Sequence, residues 1–157
     1  MTRQSGAMLL EALIGILIFA IGTLAVVGLQ ATALASGSDA RNRAEASQLA
    51  NAVISRMWAT SAAGLASFQH HPDGQPCAPS GAASTNAALT DASNGWLTQV
   101  AAKLPGAGEA LQQIKVVTTA GPDPLNLPDN VVTVALCWIG PPDNRPHKFV
   151  TVAHVNR

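Results

Sequence analysis

Charge is scarce in this chain, and neither sign is in surplus. Nine Lys and Arg balance nine Asp and Glu, and only 11% of the 157 residues are charged. Such a chain lacks the basic patch that a phosphate backbone selects, so nucleic-acid binding is not expected. It also lacks a long acidic tail. Aromatics are few, with three Trp, three Phe and no Tyr, which leaves aliphatic side chains to supply most of any core. There are two cysteines, Cys77 and Cys137, too far apart for a CxxC redox or zinc motif.

Catalytic patterns are missing as well. No GxSxG elbow, HExxH helix or pair of spaced carboxylates occurs, and nothing sets a nucleophile beside a base. Gly106-Ala107-Gly108 lacks the third glycine of a dinucleotide fingerprint and reads as a turn. His70-His71, with Asp73 nearby, sits in a Pro/Gly-rich loop without a third and fourth ligand at recognisable spacing. The pair therefore reads as solvated, and no metal or cofactor is expected. His147 and His154 fall on or near a strand, facing solvent or neighbouring side chains. The chain reads as a structural protein and not as an enzyme.

What is present is one long apolar run. Between Ala12 and Ser38 there is no charged residue, and Ala12–Leu29 alone is continuous enough to cross a bilayer. Eighteen residues at ~1.5 Å each give roughly 27 Å, close to the hydrocarbon thickness. A cleaved secretory signal would have a shorter core, ~7–15 residues, although Ala33-Leu34-Ala35 resembles its cleavage site. A plain one-pass anchor fits the length, and Arg3 ahead of the run with Asp39 behind it favours a cytoplasmic N-terminus. Neither reading accounts for Glu11 at the mouth of the run. A carboxylate in hydrocarbon costs up to ~3 kcal/mol at mid-bilayer, and less toward the end of a helix.

The stretch Gly6-Ala7-Met8-Leu9-Leu10-Glu11 resembles the type III signal of type IV prepilins. The resemblance implies cleavage between Gly6 and Ala7 by a membrane prepilin peptidase. It also implies N-methylation of Ala7, which stands where Phe or Met is usual, and a glutamate at mature position five. The new amine at Ala7 is cationic, and Glu11 lies one helical turn away, in the first turn of the mature helix, where the dipole favours an anion. In a filament Glu11 would pair with the amine of a neighbouring subunit. The bland alternative is an acid that merely caps the first turn of an anchor.

Beyond the membrane stretch the helix is predicted to continue to about Thr60. No proline interrupts Leu29–Thr60, and Leu49, Val53 and Met57 recur at i, i+4 and i+8 beside Ala46, Ala50 and Ile54. One helix from Ala7 to Thr60 would be roughly 80 Å long. Gly15, Gly22 and Gly28 lower its propensity and suit close helix packing in a bilayer or filament, although small residues are common in any membrane helix. Residues 61–95 read as irregular, 95–104 as a short helix ended by Pro105-Gly106, and 112–120, 130–139 and 147–155 as strands. Gly121-Pro122 and 140–144 read as turns, the latter pairing the last two strands antiparallel. On the middle strand Val132, Val134, Leu136 and Trp138 share one face. The sheet must bury a face, and the Leu49/Val53/Met57 stripe is its natural cover. The expected fold is α+β: a long N-terminal helix, its first half transmembrane, packed on a C-terminal antiparallel sheet.

"AIGTLAVVGLQATAL" (20–34) followed by "RNRAEASQLANAVISRMWA" (41–59) is similar to the minor type IV pilins of PilV type, as is the Trp96–Gly106 segment leading into a Val/Thr-rich sheet. The implied division is a leader at 1–6, a transmembrane and pilus-core helix at 7–30, and a periplasmic domain at 31–157. That domain comprises an amphipathic helix (31–60), a variable loop (61–95) and a short helix with sheet (96–157). The implied partners are other minor pilins, the major pilin, the peptidase and the inner membrane, in pilus assembly, motility or adhesion. A minor pseudopilin of type II secretion shares the same signal, and a membrane-anchored accessory or binding domain is the rival from another class. If the domain is exported, its two cysteines are expected to pair.

Overall fold

The computed structural model describes residues 5–120, 128–140 and 145–155. The predicted turns at Gly121-Pro122 and, apart from Gly140, at 140–144 lie outside these residues, as does the leader before Ser5. The chain divides into two units, Met1–Ser38 and Asp39–Arg157. Helix α1, Ser5–Trp58, runs through both. Within the second unit there follow a 3-10 helix (Ala62–Phe68), β1 (Asp73–Gln75), β2 (Ala78–Ser80), α2 (Ala87–Thr90) and α3 (Trp96–Lys103). A 3-10 turn (Glu109–Leu111) then leads to β3 (Gln113–Ala120), β4 (Pro128–Ile139) and β5 (Pro146–His154).

The first unit is helix throughout its described residues, because no Pro interrupts it, and three of its hydroxyls are satisfied locally. Thr23 and Thr32 donate to the carbonyls of Ala20 and Gly28, and Ser38 to that of Ala35. Side chains that bond their own helix leave no polar group unmet in an apolar medium.

The second unit is built on the predicted stripe. Ala46, Leu49, Ala50, Val53, Ile54 and Met57 are all buried, and α1 ends at Trp58, two residues earlier than expected. The sheet runs β3-β4-β5, antiparallel throughout. Val116 faces Val132, which faces Ala153; Ile114 faces Val134, which faces Thr151. Val132, Val134, Leu136 and Trp138 point into the core and are fully buried, as their shared parity predicts. The long helix thus packs on an antiparallel sheet, the α+β arrangement expected from the pattern.

Helix α3 closes the core through Trp96. Its ring is fully buried and its Nε1 donates to the Leu49 carbonyl at 2.8 Å, tying α3 to α1. Arg56 donates to the Ala88 carbonyl at 2.7 Å, which ties α2 to the same helix.

Segment 61–95 departs from expectation. It is not irregular: it holds the 3-10 helix, the β1–β2 hairpin and α2. Each of these elements is too short for periodicity to register. Pro76 and Cys77 form the two-residue turn of the hairpin, with Cys77 at φ 71°, a left-handed conformation that a type II turn requires after proline.

Gly106 seats the end of α3 against β4. It has φ 62°, and a Cβ there would lie 3.0 Å from both Cβ and the carbonyl oxygen of Ile139. Ile139 N–H donates to the Pro105 carbonyl at 2.9 Å, so neither backbone can retreat without losing that bond. Gly106→Ala should therefore destabilise the folded domain by about 1–3 kcal/mol. Equilibrium denaturation checks this; an unchanged midpoint would mean that the turn is pliable.

Candidate functional site

The first candidate is the N-terminal end of α1. Fifteen large apolar side chains between Met8 and Leu34 lie 48–76% exposed. That surface surrounds the helix on all sides and buries none of the chain's own core. Each such side chain gains roughly 1.5–3 kcal/mol on leaving water, and an exposed apolar surface of this extent marks an interaction site. This helix is long and apolar enough to span a membrane. Gly6, Ala7 and Glu11 all lie on it and are exposed, with Ala7 and Glu11 one turn apart on similar faces. The dipole argument for Glu11 concerns a chain that begins at Ala7, the processed form that the resemblance implies. Among the described residues no cation or donor reaches its carboxylate. Among the described residues a Cβ at Gly6 would meet no atom within 4 Å, so packing against them does not dictate a glycine there.

The second is the cystine. Cys77 and Cys137 form a disulfide that closes a separation of 60 residues and ties the β1–β2 hairpin to the middle of the sheet. Around it the hairpin is held by side-chain amides. Gln113 donates to the carbonyls of His71 and Asp73 at 3.1 and 2.8 Å. Gln112, fully buried, clasps the Cys137 backbone from both sides: its Nε2 donates to the carbonyl and its Oε1 accepts from the N–H, each at 2.9 Å. The clasp continues the β3–β4 ladder with a side chain where β3 has not yet begun.

Beside the cystine is a charged cluster. His147 Nδ1 lies 3.3 Å from Asp39, and its ring stacks on Trp138 with centroids 5.8 Å apart. Arg43 holds the other Asp39 oxygen at 2.8 Å. His147 is thus half-buried on the inner side of β5, whereas His154 lies out in solvent with Asp129 at 3.1 Å.

His70 is a correction. Expected to be solvated, it is completely buried. Its Nδ1 accepts from the Ser84 N–H at 3.1 Å and its Nε2 lies 3.2 Å from the Glu109 carbonyl. The first contact requires a bare Nδ1, so the proton sits on Nε2 and donates to Glu109. Burial pushes this imidazole below the ordinary histidine range, only partly offset by the Glu109 carbonyl. Both ring nitrogens are committed, which leaves no lone pair for a metal. Among the described residues no three His, Cys, Asp or Glu gather as a metal site.

Spacing along the sequence puts Gly6, Ala7 and Glu11 on one helix, and the pairing of Cys77 with Cys137, expected if the domain is exported, is present. Neither expectation reaches His70, Gln112 or the Asp39–His147 pair. These are polar contacts across many residues, and no local pattern encodes them. No family model, curated protein or solved structure matches the chain.

Proposed function

We propose that this chain is a minor type IV pilin of PilV type, stored in the inner membrane by its apolar helix and transferred from there into a pilus or an initiating pilin complex. One observation carries the reading. A glycine and an acid five residues apart stand at the head of a helix that is apolar and uncovered for some thirty residues, then becomes the spine of an α+β domain. The exchange from lipid to filament is feasible because apolar helix packing replaces apolar lipid contact. On this reading the N-terminus is cytoplasmic before processing and the domain lies in the periplasm, an oxidising compartment in which its cystine is stable. After assembly the domain belongs to the pilus or cell surface, where it meets other minor pilins and the major pilin. No catalytic role is proposed.

Intact mass measurement of the membrane-extracted protein should find Ala7 at the N-terminus, carrying a methyl group. Gly6→Val should abolish this cut while leaving the domain's melting temperature unchanged, because among the described residues nothing would touch the new side chain's Cβ. A mature species beginning at Met1 would favour a plain anchored domain, and one beginning near Ser36 a secretory signal; either would overturn the proposal.

A further inference from the structure

The segment Gly81–Asn86 is held by a small network with His70 at its centre. Ser84 donates its N–H to His70 Nδ1 and its hydroxyl to the Ser67 carbonyl at 2.8 Å. Asn86 donates its N–H to Ser84 Oγ at 3.2 Å and its side-chain amide to Ser67 Oγ at 2.8 Å. His71 holds the start of the segment through its N–H to the Ala82 carbonyl and its Nδ1 to the Gly81 carbonyl, both at 2.9 Å. Between this segment and the 3-10 helix Ala62–Phe68 lies a cleft of about 300 Å³, lined by Ser67, Gln69, Pro72, Ala82 and Ser84 among others.

The two histidines place different demands on Nδ1. His71 Nδ1 faces a carbonyl, so it is a donor whether the ring is neutral or charged. His70 Nδ1 faces an N–H, so it must stay an acceptor. A second proton on His70 would set two donors against each other at 3.1 Å in a buried site, and a buried donor left without an acceptor is destabilising.

We propose that His70 is an acid-released latch: while neutral it holds Gly81–Asn86 against the 3-10 helix Ala62–Phe68, and on taking a proton it lets that segment go and opens the cleft between them. The groups around it are few. His71, with its ring centroid 4.3 Å away, opposes a charge on His70. The Glu109 carboxylate favours one more weakly than the burial opposes it. Asp73 of β1 lies beside Gly81. Lys115 of β3 is exposed, on the sheet face opposite buried Ile114, which bridges His70. The 3-10 helix Ala62–Phe68 and the segment Gly81–Asn86 contain no titratable side chain.

The direction with pH follows. The folded imidazole is harder to protonate than an unfolded one, so the latch contributes fully above about pH 6.5. Its contribution falls as the pH drops from there through the lower folded value. The test uses the full chain in detergent micelles, with hydrogen–deuterium exchange at pH 7.5 and 5.0 corrected for intrinsic rates. The peptide covering Ala82–Asn86 should lose at least tenfold of its protection at pH 5.0, while the peptide covering 130–139 keeps its own. His70→Asn, whose Oδ1 can accept from Ser84 but does not titrate, should make that protection independent of pH, and His71→Asn should leave the pH response in place. Nitrogen-15 spectra of the wild-type histidines supply a readout that does not depend on the variants folding: His70 should show the Nε2–H tautomer at pH 7.5. A Nδ1–H tautomer, wild-type protection flat down to pH 5.0, or the same fall in His70→Asn would each overturn the latch.

Discussion

Glu11→Val is expected to leave the protein inserted in the membrane and cut after Gly6, and to remove it from pili. The two halves of this result have different causes. In an isolated membrane helix, replacing a carboxylate by an alkyl group is neutral or favourable, because up to ~3 kcal/mol of desolvation is relieved. The uncovered helix around Glu11 supplies no partner that the change would orphan, and the folded domain begins only at Asp39. Insertion and domain stability should therefore be unaffected. Assembly is another matter on the pilin reading. The neighbour's N-terminal amine enters an apolar bundle and must be neutralised there. Losing one partner of a buried ion pair costs about 3–5 kcal/mol, which corresponds to a hundredfold or greater loss of association.

The measurements are co-purification of Glu11→Val with its pilin partners and its abundance in sheared pili, each against membrane-extracted protein. Glu11→Asp is the informative companion: it keeps the charge but shortens the reach, and should fall between wild type and Val. Undiminished incorporation of Glu11→Val would reduce Glu11 to an acid that merely caps the processed helix, and the assembly mechanism would fail with it.

The parts of the fold that repeat with a period are legible in the sequence. The stripe Leu49/Val53/Met57 and the alternation from Val132 to Trp138 each predict a buried face, and the two faces meet. The limits of α3 and of the three strands fall within about two residues of the predicted ones, which is the margin by which helix and strand ends fray. What the pattern does not carry is polar and non-local. Gln112 and Gln113 read as the polar start of a strand, yet their amides fasten β4 and the hairpin. His70 belongs to a stretch whose prolines and glycines suggest solvent, yet its ring is the hub around which that stretch folds. Such positions depend on which backbone atoms tertiary packing leaves unpaired, and hydrophobic period carries no record of that. The candidate site at Gly6, Ala7 and Glu11 is legible for the opposite reason: on the proposed reading it works through spacing along one helix, which needs no tertiary fold.

Removing the cystine should be the costliest change within the domain itself. The bridge closes a separation of 60 residues, for which the chain-entropy account gives ~4 kcal/mol. That is a large share of the ~5–15 kcal/mol available to an ordinary domain. Cys77→Ala with Cys137→Ala should therefore lower the melting temperature by roughly 10–20 °C. The turn at Cys77 adds a second, separable effect. Cys77 sits at φ 71°, which costs a non-glycine residue about 1–2 kcal/mol. The cystine holds it there against that preference, and without the bridge an alanine in its place would pull the Pro76 turn apart. A glycine has no such preference. Cys77→Gly with Cys137→Ala should thus be more stable than the double alanine variant by up to about 1 kcal/mol, the remainder being offset by the greater freedom of glycine in the unfolded chain. Hydrogen exchange should place the loosening first in 71–80, where Gln113 would still hold the hairpin by its bonds to His71 and Asp73. If both double variants melt together with the wild type, the bridge is a bystander to the fold. If they melt together well below it, the left-handed turn at Cys77 carries no strain, and the whole loss belongs to the unfolded chain.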